Sequence, residues 1–188
     1  MAIWLAVVIL GVIEGITEFL PISSTGHLLI AQKWLAHQSD LFDIVIQCGA
    51  VLAVLPLFPD RCRQVLFKWR EAETRDYVFK LLAAFFITGA VGVVLEKKGF
   101  KLPEETTPIA LALLIGGILF VVVERLIKNR AQTEKVSWTM AVLAGVGQLI
   151  AAIFPGSSRS GTTILLLLTS GLNRTAATEF SFLLGIPT

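Results

Sequence analysis

Long apolar runs separated by short charged blocks set the pattern of this chain. The apolar segments fall at about 2–20, 26–36, 41–58, 77–95, 108–127, 138–154, 161–172 and from 178 to the end. Segments 77–95 and 108–127 read as uninterrupted spans of the ~20 residues that a helix needs to cross a bilayer. The 41–58 run is nearly long enough, and the others are short and broken by Pro and Gly. Such pieces predict half-helices that dip in and return, tolerated where protein or a wet cavity covers the exposed backbone. The pattern predicts an all-α integral membrane protein.

Composition agrees with that reading. The chain is 55% hydrophobic and 16% charged, with a mean hydropathy of +0.77, whereas a soluble domain carries about 25% charged residues. A formal charge of +2 gives no reason to expect nucleic acid as a partner. Cys48 and Cys62 match no disulfide or zinc spacing and are expected to be ordinary thiols. The N-terminal run lacks the basic n-region and small-residue cleavage site of a signal peptide.

Charge in the connecting segments gives an orientation. Residues 60–76 carry Arg61, Arg63, Lys68, Arg70 and Arg75, and 124–137 carry Arg125, Lys128, Arg130 and Lys135. In 96–107 the lysines are matched by glutamates. Two spans separate the two basic loops, so they share a side, and the positive-inside rule makes that side cytoplasmic.

An internal repeat organises the rest. GVIEGITEFLPISSTGH (11–27) aligns with GVGQLIAAIFPGSSRSG (145–161), pairing Gly11 with Gly145, Glu14 with Gln148, Pro21 with Pro155, and Ser23-Ser24 with Ser157-Ser158. FDIVIQCGAVLAV has a looser echo in EFSFLLGIP. Three spans separate the two Pro/Ser-rich hairpins, and an odd number inverts the second copy relative to the first. The expected architecture is a single membrane domain of inverted-topology repeats. Residues 1–127 form the first, a re-entrant hairpin plus three spans, and 138–188 an incomplete second. Their broken helices meet near the bilayer midplane, where the inverted-repeat plan places its sites. A second copy as long as the first would extend the chain to roughly residue 260 on the same plan, so the sequence is expected to be C-terminally truncated.

The two tips carry unusual chemistry. Glu14 and Glu18 stand at i and i+4, so their carboxylates leave one helix face, and ionisable groups at membrane depth are costly enough to suggest function. Such a pair suits proton handling, or shares a divalent cation such as Mg or Ca; interhelical hydrogen bonding is the plainer alternative. Pro21 ends that helix, and Ser23, Ser24 and Thr25 lie at the start of the next, where one hydroxyl suffices as a cap and free N–H groups attract anions. His27, three residues after Ser24, comes round to the same face as a candidate general base or acid. The second tip exchanges acid and base for Arg159, whose planar fork suits phosphate oxygens, although a plain ion pair with Glu14 or Glu18 would also account for it. Ser158 and Ser160 add hydroxyls, Gly156 and Gly161 allow backbone amides close to an anion, and Gln148 is a neutral hydrogen-bonding partner. Together the tips suit phosphoryl chemistry on a membrane-resident substrate. An inverted-repeat transporter or lipid flippase for an anionic substrate is the main alternative.

EGITEFLPISSTGH, FDIVIQCGAVLAV, PGSSRSG and FSFLLGIP, spread over essentially the whole chain, resemble the bacterial undecaprenyl pyrophosphate phosphatase family, linked to bacitracin resistance. The resemblance implies hydrolysis of undecaprenyl diphosphate to the monophosphate carrier lipid and inorganic phosphate, recycling lipid for peptidoglycan synthesis in the bacterial plasma (inner) membrane as a multi-pass protein. It implies catalytic roles for Glu14, Glu18, Ser24 (as nucleophile), His27 and Arg159. Ser23, Thr25, Gln148, Gly156, Ser158, Ser160 and Gly161 are expected around the substrate. The family's divalent-cation dependence is expected to fall on Glu14 and Glu18, with no organic cofactor. A homo-oligomer is compatible with such a protein.

Orientation is testable in a background free of Cys48 and Cys62. Val65→Cys and Gln132→Cys are expected to resist an impermeant thiol reagent added outside, and Lys101→Cys to react. Labelling of residue 65 or 132 from outside overturns the orientation.

Overall fold

The computed structural model describes residues 3–35, 38–99, 106–154 and 156–188. Among them regular structure is helical, apart from an isolated bridge between Thr133 and Leu172. The order is α1 (Ile3–Thr17), α2 (Ser24–Gln32), α3 (Asp40–Leu52), α4 (Val54–Leu57), α5 (Pro59–Phe67), α6 (Ala72–Lys97), α7 (Thr106–Ile127), α8 (Trp138–Ile153), α9 (Arg159–Thr169) and α10 (Arg174–Gly185). The acidic–basic loop of 96–107 and Pro155 fall largely or wholly outside the described residues.

Two helices are long and apolar enough to cross a membrane, over Ala72–Leu95 and Thr107–Ile127. The first starts earlier than the apolar run because the helix continues through charged residues, where Lys80 pairs with Asp76 one turn before it. The 41–58 run does not continue straight. Leu41–Leu57 turns by 85° into α5, at a point where Pro59 occupies the first turn of α5. Proline removes the N–H and clashes with the preceding turn, so a straight helix ends there.

Both repeat copies fold as helix–break–helix hairpins, α1 on α2 and α8 on α9. The second and third helices of the copies begin at 24 and 40 in one and at 159 and 174 in the other. The caps set a register one residue away from the gapless sequence alignment. Ser23 caps α2 by accepting from Gly26 N–H, and Ser158 caps α9 by accepting from Gly161 N–H. Hence Ser24 and Arg159 occupy equivalent first positions of their helices.

Small residues bring the helices together. A Cβ on Gly145 of α8 would lie 3.0 Å from the Ala84 carbonyl oxygen of α6, and one on Gly147 would lie 3.0 Å from the Thr163 backbone of α9. Thr88 Oγ1 donates to the Gly145 carbonyl at 3.3 Å. Close backbone approach with hydroxyl donors suits association in lipid, where apolar side chains gain little by leaving the tails. Large apolar side chains accordingly point outward, including Leu114, Ile118 and Val121 on α7.

The two basic loops meet at one end of the bundle, as their common side requires. Lys80 Nζ donates to the Val136 carbonyl at 2.7 Å, and Lys135 pairs with Glu73 at 3.4 Å. Arg61 secures α5 there by pairing with Glu179 of α10 at 2.6 Å. The hairpin tips lie toward the other end. Gly156, at φ +93°, packs against Ile109 in the first turn of α7, about 27 Å along the helix from Ile127 at a rise of ~1.5 Å per residue.

Gly156→Ala adds a Cβ only 2.7 Å from the Ile109 carbonyl oxygen at a backbone angle that L-residues disfavour, and is expected to cost about 2–4 kcal/mol. Gly171→Ala shares the positive φ but meets nothing within 4 Å, so about 1–2 kcal/mol is expected. Equilibrium unfolding in detergent tests the order; equal losses contradict this packing.

Candidate active site

The first hairpin breaks after Thr17, and its loop turns at Ser23, whose φ of 64° is the one positive value for a non-glycine among the described residues. Backbone in that region costs of order 1–3 kcal/mol and persists where its surroundings enforce it. Here the enforcement is local. The Ser23 carbonyl accepts from His27 N–H at 3.3 Å and lies 2.8 Å from His27 Nδ1, and Ser23 Oγ accepts from Gly26 N–H at 3.4 Å. A carbonyl can only accept, so Nδ1 carries the proton in this contact.

Glu18 joins the two tips. Ser24 Oγ donates to Glu18 Oε2 at 2.7 Å, while Arg159 Nη2 donates to Glu18 Oε1 at 3.0 Å. The first residues of two half-helices, 135 positions apart in the chain, thus share one carboxylate. Both members of the ion pair retain access, with side-chain exposures of 32% for Arg159 and 19% for Glu18. One of the five guanidinium N–H donors faces Glu18; the fork has further donors for an anion.

Beside this pair opens a cavity of about 290 Å³. Thr17, Glu18, Ser23, Ser24 and Thr25 line it from the first hairpin, and Gly156, Ser157, Ser158, Arg159 and Ser160 from the second. Ser158 Oγ lies 3.1 Å from Ser160 Oγ. Its hydroxyls and guanidinium suit an oxyanion, since charge-assisted hydrogen bonds are stronger than neutral ones. A second cavity of about 570 Å³ adjoins it, sharing Gly156, Ser157 and Ser158. That one is walled mainly by apolar residues of α7 and by Ile150, Phe154 and Leu165.

The structure gathers most of the expected residues and separates others. Ser23, Ser24, Thr25, Glu18, Gly156, Ser158, Arg159 and Ser160 line the polar cavity. His27 lines the apolar cavity instead and bonds the Ser23 backbone. Helical spacing places it near Ser24, but the turned Ser23 carbonyl intercepts its ring. Gln148 is buried and donates to Thr163 Oγ1 at 3.3 Å, tying α8 to α9, and it lines a small cavity with Glu18, Arg159 and Ser160 behind the ion pair. Gly161 has its N–H committed to Ser158 Oγ at 3.0 Å, and a Cβ there would lie 2.9 Å from Ser158 Cβ. Its small size therefore serves the cap. Gln47 of α3 also lines the polar cavity; its one signal in the sequence is a lone amide within FDIVIQCGAVLAV.

Glu14 lies one turn before Glu18 on the same helical face, and Glu18 N–H donates to its carbonyl at 2.9 Å. Its carboxylate is almost fully buried, and Oε2 has no hydrogen-bond partner among the described residues. No group of three or more His, Cys, Asp or Glu side chains gathers among the described residues. An orphaned carboxylate oxygen offers a hard cation one oxygen ligand; Glu14 itself lines neither the polar nor the apolar cavity.

Residues 7–188 match the family described as bacitracin resistance protein BacA. An undecaprenyl-diphosphatase of Rhizobium etli is 56% identical over 181 residues, covering 96% of this chain and 68% of that protein. One from Xylella fastidiosa is 51% identical over 180 residues, 95% of this chain and 69% of that protein. One from Xanthomonas oryzae pv. oryzae is 45% identical over 185 residues, 98% of this chain and 70% of that protein. With a match that runs through both hairpins and every helix of the bundle, this chain belongs to the BacA family of bacitracin resistance proteins.

Proposed function

We propose that this chain is an undecaprenyl-diphosphatase of the bacterial plasma membrane, a multi-pass enzyme that converts undecaprenyl diphosphate to undecaprenyl phosphate and inorganic phosphate. The recycled carrier lipid serves peptidoglycan synthesis, and restoring it from the diphosphate form underlies bacitracin resistance. Relatives named for this activity support the substrate; none of those named is a transporter. The observation that carries the mechanism is the Glu18 carboxylate shared by Ser24 and Arg159 at the polar cavity.

The terminal phosphate of the substrate enters that cavity, and the polyprenyl chain leaves toward the adjoining apolar one. Arg159 turns donors to the phosphate oxygens and stabilises the charge that builds there during transfer. Ser24 Oγ attacks the terminal phosphorus as Glu18 Oε2 takes its proton across the existing hydrogen bond. The phosphoanhydride bond breaks, and undecaprenyl phosphate departs with the proton that Glu18 took, leaving Glu18 ionised again. Water then attacks the phosphoserine with Glu18 as base, releasing phosphate and restoring the hydroxyl. His27 holds the Ser23 carbonyl, and through it the position of Ser24. A divalent cation held by Glu14 and Glu18 would neutralise charge on the diphosphate. With the basic loops cytoplasmic, the tips lie nearer the outer face, and phosphate leaves on that side.

Phosphate release from a long-chain prenyl diphosphate tests this. Ser24→Ala, Glu18→Gln and Arg159→Ala are each expected to lower the rate by at least ~10²-fold, the scale of lost acid–base or electrostatic groups. Arg159→Lys is expected to fail as well, lacking the fork. Near-normal turnover in two of the three, with normal folding, overturns the assignment.

Chelation tests the cation. Activity is expected to fall with EDTA and return with Mg²⁺ or Ca²⁺, and Glu14→Gln is expected to raise the metal concentration needed by about tenfold or more. Full activity in chelator, or an unshifted metal requirement in the variant, contradicts the Glu14 role.

A further inference from the structure

A cavity of about 720 Å³ opens at the basic end of the bundle, between the end of α7 and the start of α10. Arg125, Lys128, Arg130 and Arg174 line it, with Glu124 and Asn173. Arg174 is paired with Glu124. Arg125, Lys128 and Arg130 make no ion pair among the described residues. Four cations therefore face one carboxylate, and that carboxylate is already paired. This is the chemistry of a site for an anion.

The sequence of α7 indicates which anion. Leu114, Ile118, Val121, Arg125 and Lys128 recur at alternating steps of four and three, the spacing of a single helical face. The first three are exposed and lie in the membrane-crossing stretch Thr107–Ile127. An apolar stripe thus leads straight to two cavity-lining cations at the end of the span. A free anion would use only the cations, whereas an amphiphile uses both. Arg and Lys stems lie along apolar surface while their charges reach the headgroup level, and basic pockets at the cytoplasmic ends of membrane helices suit anionic lipid headgroups.

We infer that this cavity binds the phosphodiester headgroup of an anionic phospholipid of the surrounding leaflet, with the acyl chains lying along the exposed face of α7. The site is separate from the polar cavity and shares no lining residue with it. It does not depend on the hydrolytic reading.

Native mass spectrometry tests the inference, using the protein released from neutral-detergent micelles with equal phosphatidylglycerol and phosphatidylcholine. The wild-type chain is expected to retain phosphatidylglycerol with at least ~10-fold preference, as several lysine and arginine contacts allow. Arg125→Gln/Lys128→Gln/Arg130→Gln is expected to lose that preference while keeping its helical circular dichroism. A matched removal of charge at Arg63, Lys68 and Arg70 is expected to leave it intact. Millimolar inorganic phosphate is expected not to displace the lipid. Equal retention of both lipids, an undiminished preference in the first triple variant, an equal loss in the second, or displacement by phosphate would each overturn the proposal.

Discussion

The carboxylate of Glu18 is the point on which the two halves of the site depend. It accepts from Ser24 on one side and Arg159 on the other, so it fixes the two tips relative to each other. The pair is also the reason a guanidinium can sit partly buried within a membrane bundle. An uncompensated charge there is expensive, and one good partner with spare donors toward a wet cavity reduces that cost while leaving capacity for substrate. An ion pair and a phosphate site are therefore two states of one arrangement. Arg159 rests on Glu18 and has donors left for an oxyanion.

The surrounding bundle follows the solvent it is built for. In lipid, outward leucine and valine are neutral, and the interior must cohere by close fit and satisfied polar groups. Gly145 and Gly147 let α6, α8 and α9 approach to backbone contact, with Thr88 and Gln148 supplying hydrogen bonds across the same interfaces. This scaffold presents the second tip, while Gly156 lodges that tip against α7. Precision at the cavity thus comes from backbone packing some distance from the reacting groups.

Much of this was legible in the sequence because membrane depth makes polar residues conspicuous. Glu14, Glu18 and Arg159 stand out against apolar neighbours, and the repeat predicts that their tips meet. Pro59 was equally visible, and the chain turns by 85° there, just where the run 41–58 ends. Less legible was anything set by a single dihedral angle. The positive φ of Ser23 turns its carbonyl to His27, which spacing alone assigned to the Ser24 face. The caps also place Ser24 opposite Arg159 rather than Ser158, a shift that two adjacent serines in each motif conceal. Gln47 was hidden for another reason: one amide in an apolar helix reads equally as packing or as site until its neighbours are known.

The central claim is that Glu18 couples the two tips into one catalytic unit. A double-mutant cycle on kcat/KM with Glu18→Gln and Arg159→Gln measures that coupling directly, since groups acting as a unit give strongly non-additive losses. The account predicts that the double variant is slowed by little more than the more damaging single change. Losses that multiply, as for two independent residues, would contradict it.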